Sequence, residues 1–363
     1  MRRIGGVVPN EVCYGSAINA CGNGRQWERA LLLFREMKAA GIVPGVITYN
    51  SAIKACGGQW EQALLLFSEM KAQGVNPNVK TYSSDIKACG DGGQLDQALS
   101  LLREMQTEGI TPNVITYSSV ITACEDGRRW DQVLSLLKEM KTKGINPNVI
   151  TYNAAIKACG EQWEQAVLLL REMKTEGIAP NVISYNSAIK VCGDGGEWTE
   201  ACSLLREMKA EGITPDVISY SSAITACSEH WEQALLLLRE MKAEGITPNV
   251  VTYSSAIKAC GDSGKLDQAL LLLSEMKDEG IAPNVKTYSS TIRACGEQWE
   301  QAVLLLSELK TEGIVPNVIT YNSAIKTCGD GGEWKEACSL FREMRAEGIA
   351  ANVKIYSSVM NAC

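Results

Sequence analysis

Val46-Ile47-Thr48-Tyr49-Asn50 comes back, lightly edited, ten more times along this 363-residue chain. Counted from that valine or its equivalent, the units run 11–45, 46–78, 79–113, 114–148, 149–181, 182–216, 217–249, 250–284, 285–317 and 318–352, each 33 or 35 residues long. The segment 353–363 starts a further unit and holds only its first helix. Residues 1–10 read as the end of a preceding one, because Gly6-Val7-Val8-Pro9-Asn10 matches Gly109-Ile110-Thr111-Pro112-Asn113. A fixed period in this range marks a stacked array, in which no unit buries its apolar face alone. The expectation is one solenoid, with both ends falling inside a repeat, and not two or three globular domains.

Each unit reads as a helical hairpin. In 79–113, apolar Val79, Tyr82, Ile86 and Cys89 recur at the three-to-four spacing of one helix stripe. Gly90-Asp91-Gly92-Gly93 is expected to break that helix after Cys89. A second helix from Leu95 to Gln106 carries Leu95, Ala98, Leu99, Leu101, Leu102 and Met105 on one side. Gly109 then stops it and Pro112 prevents its continuation. The 33-residue units lose two residues at the turn, with neither helix expected to change length.

Composition narrows the function classes. The chain is 45% hydrophobic, and no apolar run approaches a membrane span. Eleven of the fourteen cysteines share one repeat position: Cys21, Cys56, Cys89, Cys124, Cys159, Cys192, Cys227, Cys260, Cys295, Cys328 and Cys363. No Cys-x-x-Cys pair occurs and His230 is the only histidine, so zinc-site spacing is absent. These thiols are expected as small buried residues ending each first helix, in a reducing compartment, with no metal or other cofactor. Trp27, Trp60, Trp130, Trp163, Trp198, Trp231, Trp299 and Trp334 open the second helices, a placement that suits packing and not a stacking platform for bases.

Val-x-Thr-Tyr-Asn/Ser, Ala-Leu-x-Leu-Leu-x-Glu-Met and Gly-Ile-x-Pro-Asn, repeated over ten units, resemble a P-type array of the pentatricopeptide repeat (PPR) family. The resemblance covers essentially the whole chain. It implies an all-α, right-handed α-solenoid of helix-turn-helix repeats with the first helices lining the inside. It also implies binding of single-stranded RNA in a mitochondrion or chloroplast, about one base per repeat. Two positions would read the base: the residue after the conserved Tyr and the last residue of the unit.

The residues at those positions suit the task. The first row is Asn50, Ser83, Ser118, Asn153, Asn186, Ser221, Ser254, Ser289 and Asn322, small and always able to hydrogen-bond. The second is Asn78, Asn113, Asn148, Asn181, Asp216, Asn249, Asn284, Asn317 and Asn352. An Asn amide can donate to the ring-nitrogen acceptor of adenine or cytosine, whereas Asp216 only accepts and suits uracil or guanine. Ser leaves room for a purine and Asn favours a pyrimidine, so units 46–352 would read 5′-CAACUAAAC-3′. Cytosine against uracil is the weakest discrimination. Gly15 and Gly45 give the first full unit no assignment. The terminal Asn also suits capping of the next helix, which is compatible with base contact.

Two further rows flank these. The second residue of the unit, Ile47, Ile115, Ile150, Ile183, Ile218, Val251 or Ile319, would sandwich bases in the family pattern, a contact of about 1–3 kcal/mol per base. Lys80, Lys286 and Lys354 depart from it, with stems that still cover a base. Four residues beyond the reading position stand Lys54, Lys87, Lys157, Lys190, Lys258, Arg293 and Lys326, interrupted by Thr122 and Thr225. The opening segments of the eleven units hold ten basic and three acidic residues, +7; residues 1–10 add +2, and the chain totals −7, leaving −16 elsewhere. About seven phosphate contacts would give a log–log salt slope of roughly −5. Asp91, Glu161 and Asp194 replace the family's basic residue in the turn, which tempers backbone affinity.

A scaffold holding another protein on the same surface stays open as the alternative, and it would be indifferent to changes at Asn50 or Ser83. An enzyme is not expected: no Ser/His/Asp set, metal cluster or phosphate loop occurs, and Gly193 to Gly196 is a hairpin turn. No membrane or small-molecule substrate is expected as a partner.

Overall fold

The computed structural model describes residues 9–124 and 129–362. The matches read at Gly6 to Val8 and the repeat cysteine Cys363 lie outside them. All 21 elements among the described residues are helices, paired as the repeat reading requires. Two compact units, 1–191 and 192–363, divide the chain within the helix Val182–Asp194.

In unit 1, the first helices Glu11–Asn23, Val46–Cys56, Val79–Asp91, Val114–Thr122 and Val149–Ala158 pack each on the next. Each also meets its own second helix, and the second helices of the first four lean on the following first helix. Unit 2 repeats the plan with Val217–Ala226, Val250–Asp262, Val285–Ala294, Val318–Asp330 and Val353–Ala362. The first-helix layer is tight: a Cβ on Gly261 would stand 2.4 Å from the carbonyl oxygen of Ser290, so this spot takes only glycine.

The core follows the sequence stripe. Leu95, Ala98, Leu99, Leu101, Leu102 and Met105 are all buried, as is every tyrosine of the motif from Tyr49 to Tyr321. The repeat cysteines from Cys56 to Cys328 are buried too, while Cys21 is only partly so. The tryptophans from Trp27 to Trp299 are half-buried and Trp334 is exposed; Trp60 lies over the neighbouring turn, its Cδ1 so close to Gly92 that a Cβ there would meet it at 2.6 Å. After the second helix Leu95–Thr107, Gly109 takes φ 73°, its N–H reaching the carbonyl of Gln106 and that of Ile110 the carbonyl of Met105. Both orphan carbonyls are thereby satisfied.

Two expectations about the turns need correction. The first helix of unit 79–113 does not end at Cys89 but runs to Asp91. In unit 79–113 the two extra residues therefore extend the helix: Val79–Asp91 has 13 residues, against 11 in Val46–Cys56 and 10 in Val149–Ala158, whereas Val114–Thr122, also in a longer unit, has 9. Gly57 takes φ 55° and ends the helix at once, while Gly90 stays helical.

Adjacent repeats are also tied by charge. Lys71 Nζ lies 2.6 Å from Glu104 and 2.7 Å from Glu108, and the Tyr82 hydroxyl donates to Glu108 at 2.7 Å. In unit 2, Lys242 pairs with Glu275 and, at 2.8 Å, with Glu279, and donates to the Tyr253 hydroxyl at 2.6 Å. Much of the acidity of the second helices is thus engaged in this ladder and is not a bare negative surface.

Candidate functional site

The last residue of each repeat is the N-cap of the next first helix. Asn78 Oδ1 accepts from the backbone N–H of Lys80 at 3.0 Å and of Thr81 at 3.1 Å, and the Thr81 hydroxyl accepts the Asn78 N–H at 3.0 Å. This reciprocal box recurs at Asn113, Asn148, Asp216, Asn249, Asn284 and Asn317. Asn181 and Asn352 also accept from the third residue of their helices, Ser184 and Ile355, at 3.0 Å each. A backbone N–H pairs only with oxygen, so capping dictates the amide orientation: Oδ1 turns into the helix and Nδ2 takes the other side. Capping and base contact therefore use different atoms of one amide.

The residues after the tyrosine sit deeper than their proposed task suggests. Asn50, Ser83, Ser118, Asn153, Ser221 and Ser289 are 4–8% exposed, while Asn186, Ser254 and Asn322 are half-buried. What occupies them is the hydroxyl at the third position of the next repeat. Ser83 Oγ stands 2.8 Å from Thr116 Oγ1, Ser118 2.7 Å from Thr151, Ser221 2.7 Å from Thr252, Ser254 2.8 Å from Thr287 and Ser289 2.9 Å from Thr320. Where the residue is Asn, that hydroxyl donates to its oxygen: Thr81 to Asn50 Oδ1 at 2.7 Å and Ser184 to Asn153 Oδ1 at 2.6 Å. Asn50 Nδ2 then lies 3.4 Å from Asn78 Oδ1, and Asn153 Nδ2 3.4 Å from Asn181 Oδ1. Seven of the nine proposed reading pairs are thus brought together through one hydroxyl, a row the sequence reading passed over as part of the motif.

The first full repeat is built differently. With Gly15 and Gly45 at the two positions, the helix Val46–Cys56 has no side-chain cap, and Glu11 Oε1 accepts from the Gly45 N–H at 2.8 Å and from the Thr48 hydroxyl at 3.0 Å. In the last pair, Ile355 brings no hydroxyl, and Asn322 Oδ1 accepts instead from Ser358 Oγ at 3.2 Å.

The flanking rows lie on the surface. Ile47, Ile115, Ile150, Ile183, Ile218, Val251 and Ile319 are 53–78% exposed, a regular line of large apolar residues that burial elsewhere in the repeat does not claim. Lys80, Lys286 and Lys354 in the same row are exposed. So are Lys54, Lys87, Lys157, Lys190, Lys258, Arg293 and Lys326. Two of these are partly neutralised, since Asp262 contacts Lys258 at 3.5 Å and pairs closely with Arg293. At the interruptions, Thr122 and Thr225 bond back to the carbonyls of Ser118 and Ser221 at 2.9 and 2.7 Å. Unit 2 holds an open cavity of about 760 Å³ on this face, lined among others by Ile319, Lys354, Asn322, Asn352, Arg293 and Lys326. Among the described residues no cluster of His, Cys, Asp or Glu could hold a metal, and no helix is long and apolar enough to cross a membrane.

The pentatricopeptide repeat domain model matches residues 100–162, 164–195, 203–263 and 236–298. The PPR repeat family model matches 9–58, 57–91 and 316–363, and the PPR repeat model 80–110 and 183–213. The chain belongs to the pentatricopeptide repeat family. No curated protein matches this PPR chain. Among solved structures it is similar to the pentatricopeptide repeat protein PPR10 in complex with an 18-nt psaJ RNA element, at 28% identity over 99% of this chain and 52% of that one, TM-score 0.46. PPR10 from maize matches at 22% identity over 98% and 66%, TM-score 0.47. The PPR domain of Arabidopsis thaliana protein-only RNase P 1 in complex with tRNA matches at 15% identity over 48% and 94%, TM-score 0.42. This PPR chain spans about half the length of the RNA-bound PPR10 chain.

Proposed function

We propose that this P-type PPR array binds single-stranded RNA sequence-selectively, about one base per repeat, with repeats 46–352 reading near 5′-CAACUAAAC-3′. The protein N-terminus faces the RNA 5′ end, and the setting is organellar RNA processing, stability or translation in a mitochondrion or chloroplast. The cavity in unit 2 carries the reading, because it combines three complementary surfaces. Ile319 and the Lys354 stem offer faces for a flat base, Asn322 and Asn352 offer hydrogen bonds at its edge, and Arg293 and Lys326 offer charge for the backbone. The chemistry is binding: effects on a transcript come from blocking nucleases, opening its structure or recruiting other proteins. Fluorescence anisotropy of the full chain with an RNA containing CAACUAAAC, against a scrambled strand of equal composition, tests this. Tighter binding of the first is expected; equal affinity at moderate salt contradicts the base assignment.

One observation favours a protein-holding scaffold as the second reading. Leu32, Leu65, Leu168, Leu236, Leu271 and Leu304, equivalent positions of the second helices, are 54–65% exposed. A scaffold of that kind would show no salt-dependent RNA binding.

A further inference from the structure

We infer that the hydroxyl at the third position of each repeat is a positioning residue for base choice, and that in Asn–Asn pairs it selects cytosine over uracil. The inference rests on the RNA-binding reading and adds to it a residue that touches no base. Thr81 Oγ1 accepts the Asn78 N–H at 3.0 Å, so one lone pair is committed to the cap. Its single proton has two acceptors in reach, Asn50 Oδ1 at 2.7 Å and Asn78 Oδ1 at 3.2 Å. The nearer bond holds Asn50 with its oxygen inward. Asn78 already has its oxygen inward through the backbone N–H of Lys80 and Thr81. Asn78 therefore leads with Nδ2, while Asn50 turns one Nδ2 hydrogen toward Asn78 Oδ1 at 3.4 Å and keeps the other as a donor for a base.

The cytosine pairing edge offers adjacent acceptors, N3 and O2, to two donors, whereas uracil places an N–H at the same ring position. Release of the Asn50 amide would let it rotate by half a turn and present Oδ1, which accepts the uracil N–H equally well. The same geometry holds at Asn153, Ser184 and Asn181, where the hydroxyl of Ser184 lies 2.6 Å from Asn153 Oδ1 and 3.1 Å from Asn181 Oδ1. Ser and Thr thus serve alike. The pair Asn322 and Asn352 is held by another donor: Ile355 brings no hydroxyl, and Ser358 Oγ donates to Asn322 Oδ1 at 3.2 Å.

The test measures binding of the full chain to CAACUAAAC and to strands with U in place of C at the fourth or the ninth nucleotide. The unaltered protein should prefer C at the fourth. Ser184→Ala should lower that preference about five- to tenfold, the worth of one oriented hydrogen bond, and Ser184→Thr should keep it. Thr48→Val, which removes the same hydroxyl where Gly15 and Gly45 leave nothing to orient, should alter stability without altering any preference. Ser358→Ala should lower the preference for C at the ninth nucleotide, and adding Ile355→Thr to that variant should restore it, a gain that no loss of folding can imitate. Full preference for C in Ser184→Ala, or no gain when Ile355→Thr is added to Ser358→Ala, overturns the positioning role. No base preference in the unaltered protein overturns the RNA reading itself.

Discussion

Thr81 of one repeat donates to Asn50 of the repeat before it at 2.7 Å, and the same oxygen closes the cap that Asn78 makes on its own helix. Repeat stacking, helix capping and the orientation of a proposed reading side chain are therefore one hydrogen-bond system. A repeat cannot shift against its neighbour without disturbing all three.

Asp85 stands alone within this regular core. It is fully buried, neither carboxylate oxygen has a hydrogen-bond partner, and the equivalent residues include Ala52, Ala155 and Ala256. Burial, with Glu104 nearby, holds its pKa well above the ordinary carboxyl value. The native state therefore keeps a proton that the unfolded state loses, and stability falls as pH rises from the ordinary carboxyl pKa through the raised one. Asp85→Ala should stabilise the protein by about 1–3 kcal/mol at pH 7 and flatten that fall. Urea unfolding at pH 5 and pH 7 checks it; an unchanged or lower midpoint at pH 7 would count against the assignment.

Thiol reactivity should sort by burial. Cys13 is exposed, whereas burial pushes the Cys56 thiol up to about 12, with Asp85 adding to it, and those of Cys159 and Cys295 to about 12. A thiol reagent at pH 8 should modify Cys13 rapidly and leave these three protected until denaturant is added. Rapid labelling of Cys159 in the folded protein would show that the repeat cysteines are not core residues.

Asp262 restrains the basic row by holding Lys258 at 3.5 Å and pairing with Arg293. Asp262→Asn should free both cations, tighten RNA binding at low salt, and steepen the log–log salt slope by about one unit. Anisotropy titrations between low and moderate salt supply the slopes. An unchanged slope would remove Lys258 and Arg293 from the phosphate-binding surface.

The period made the hairpins, the buried tyrosines and the exposed Ile47 row legible, because packing imposes the same residue at the same place in every repeat. Thr81 and Ser184 were harder to see for the same reason. Their near-invariance reads as packing, and only the distances to Asn50 and Asn153 reveal a bond across repeats. The helix extension to Asp91 was likewise hidden, since Gly90 can end a helix or continue one. The bond from Gly45 to Glu11 was hidden too, for it joins residues 34 positions apart in sequence.

The most direct measurement exchanges one atom pair at the single acidic position of the reading row. Asp216 caps its helix through Oδ1, accepting from Ile218 and Ser219 at 3.0 and 2.9 Å, so Asn at this position keeps the cap while bringing an amide donor. Binding of the unaltered chain and of Asp216→Asn should be compared on strands carrying U or C at the fifth nucleotide. Preference should move from U to C in the variant, with the other eight nucleotides read as before. The same preference in both proteins would contradict it.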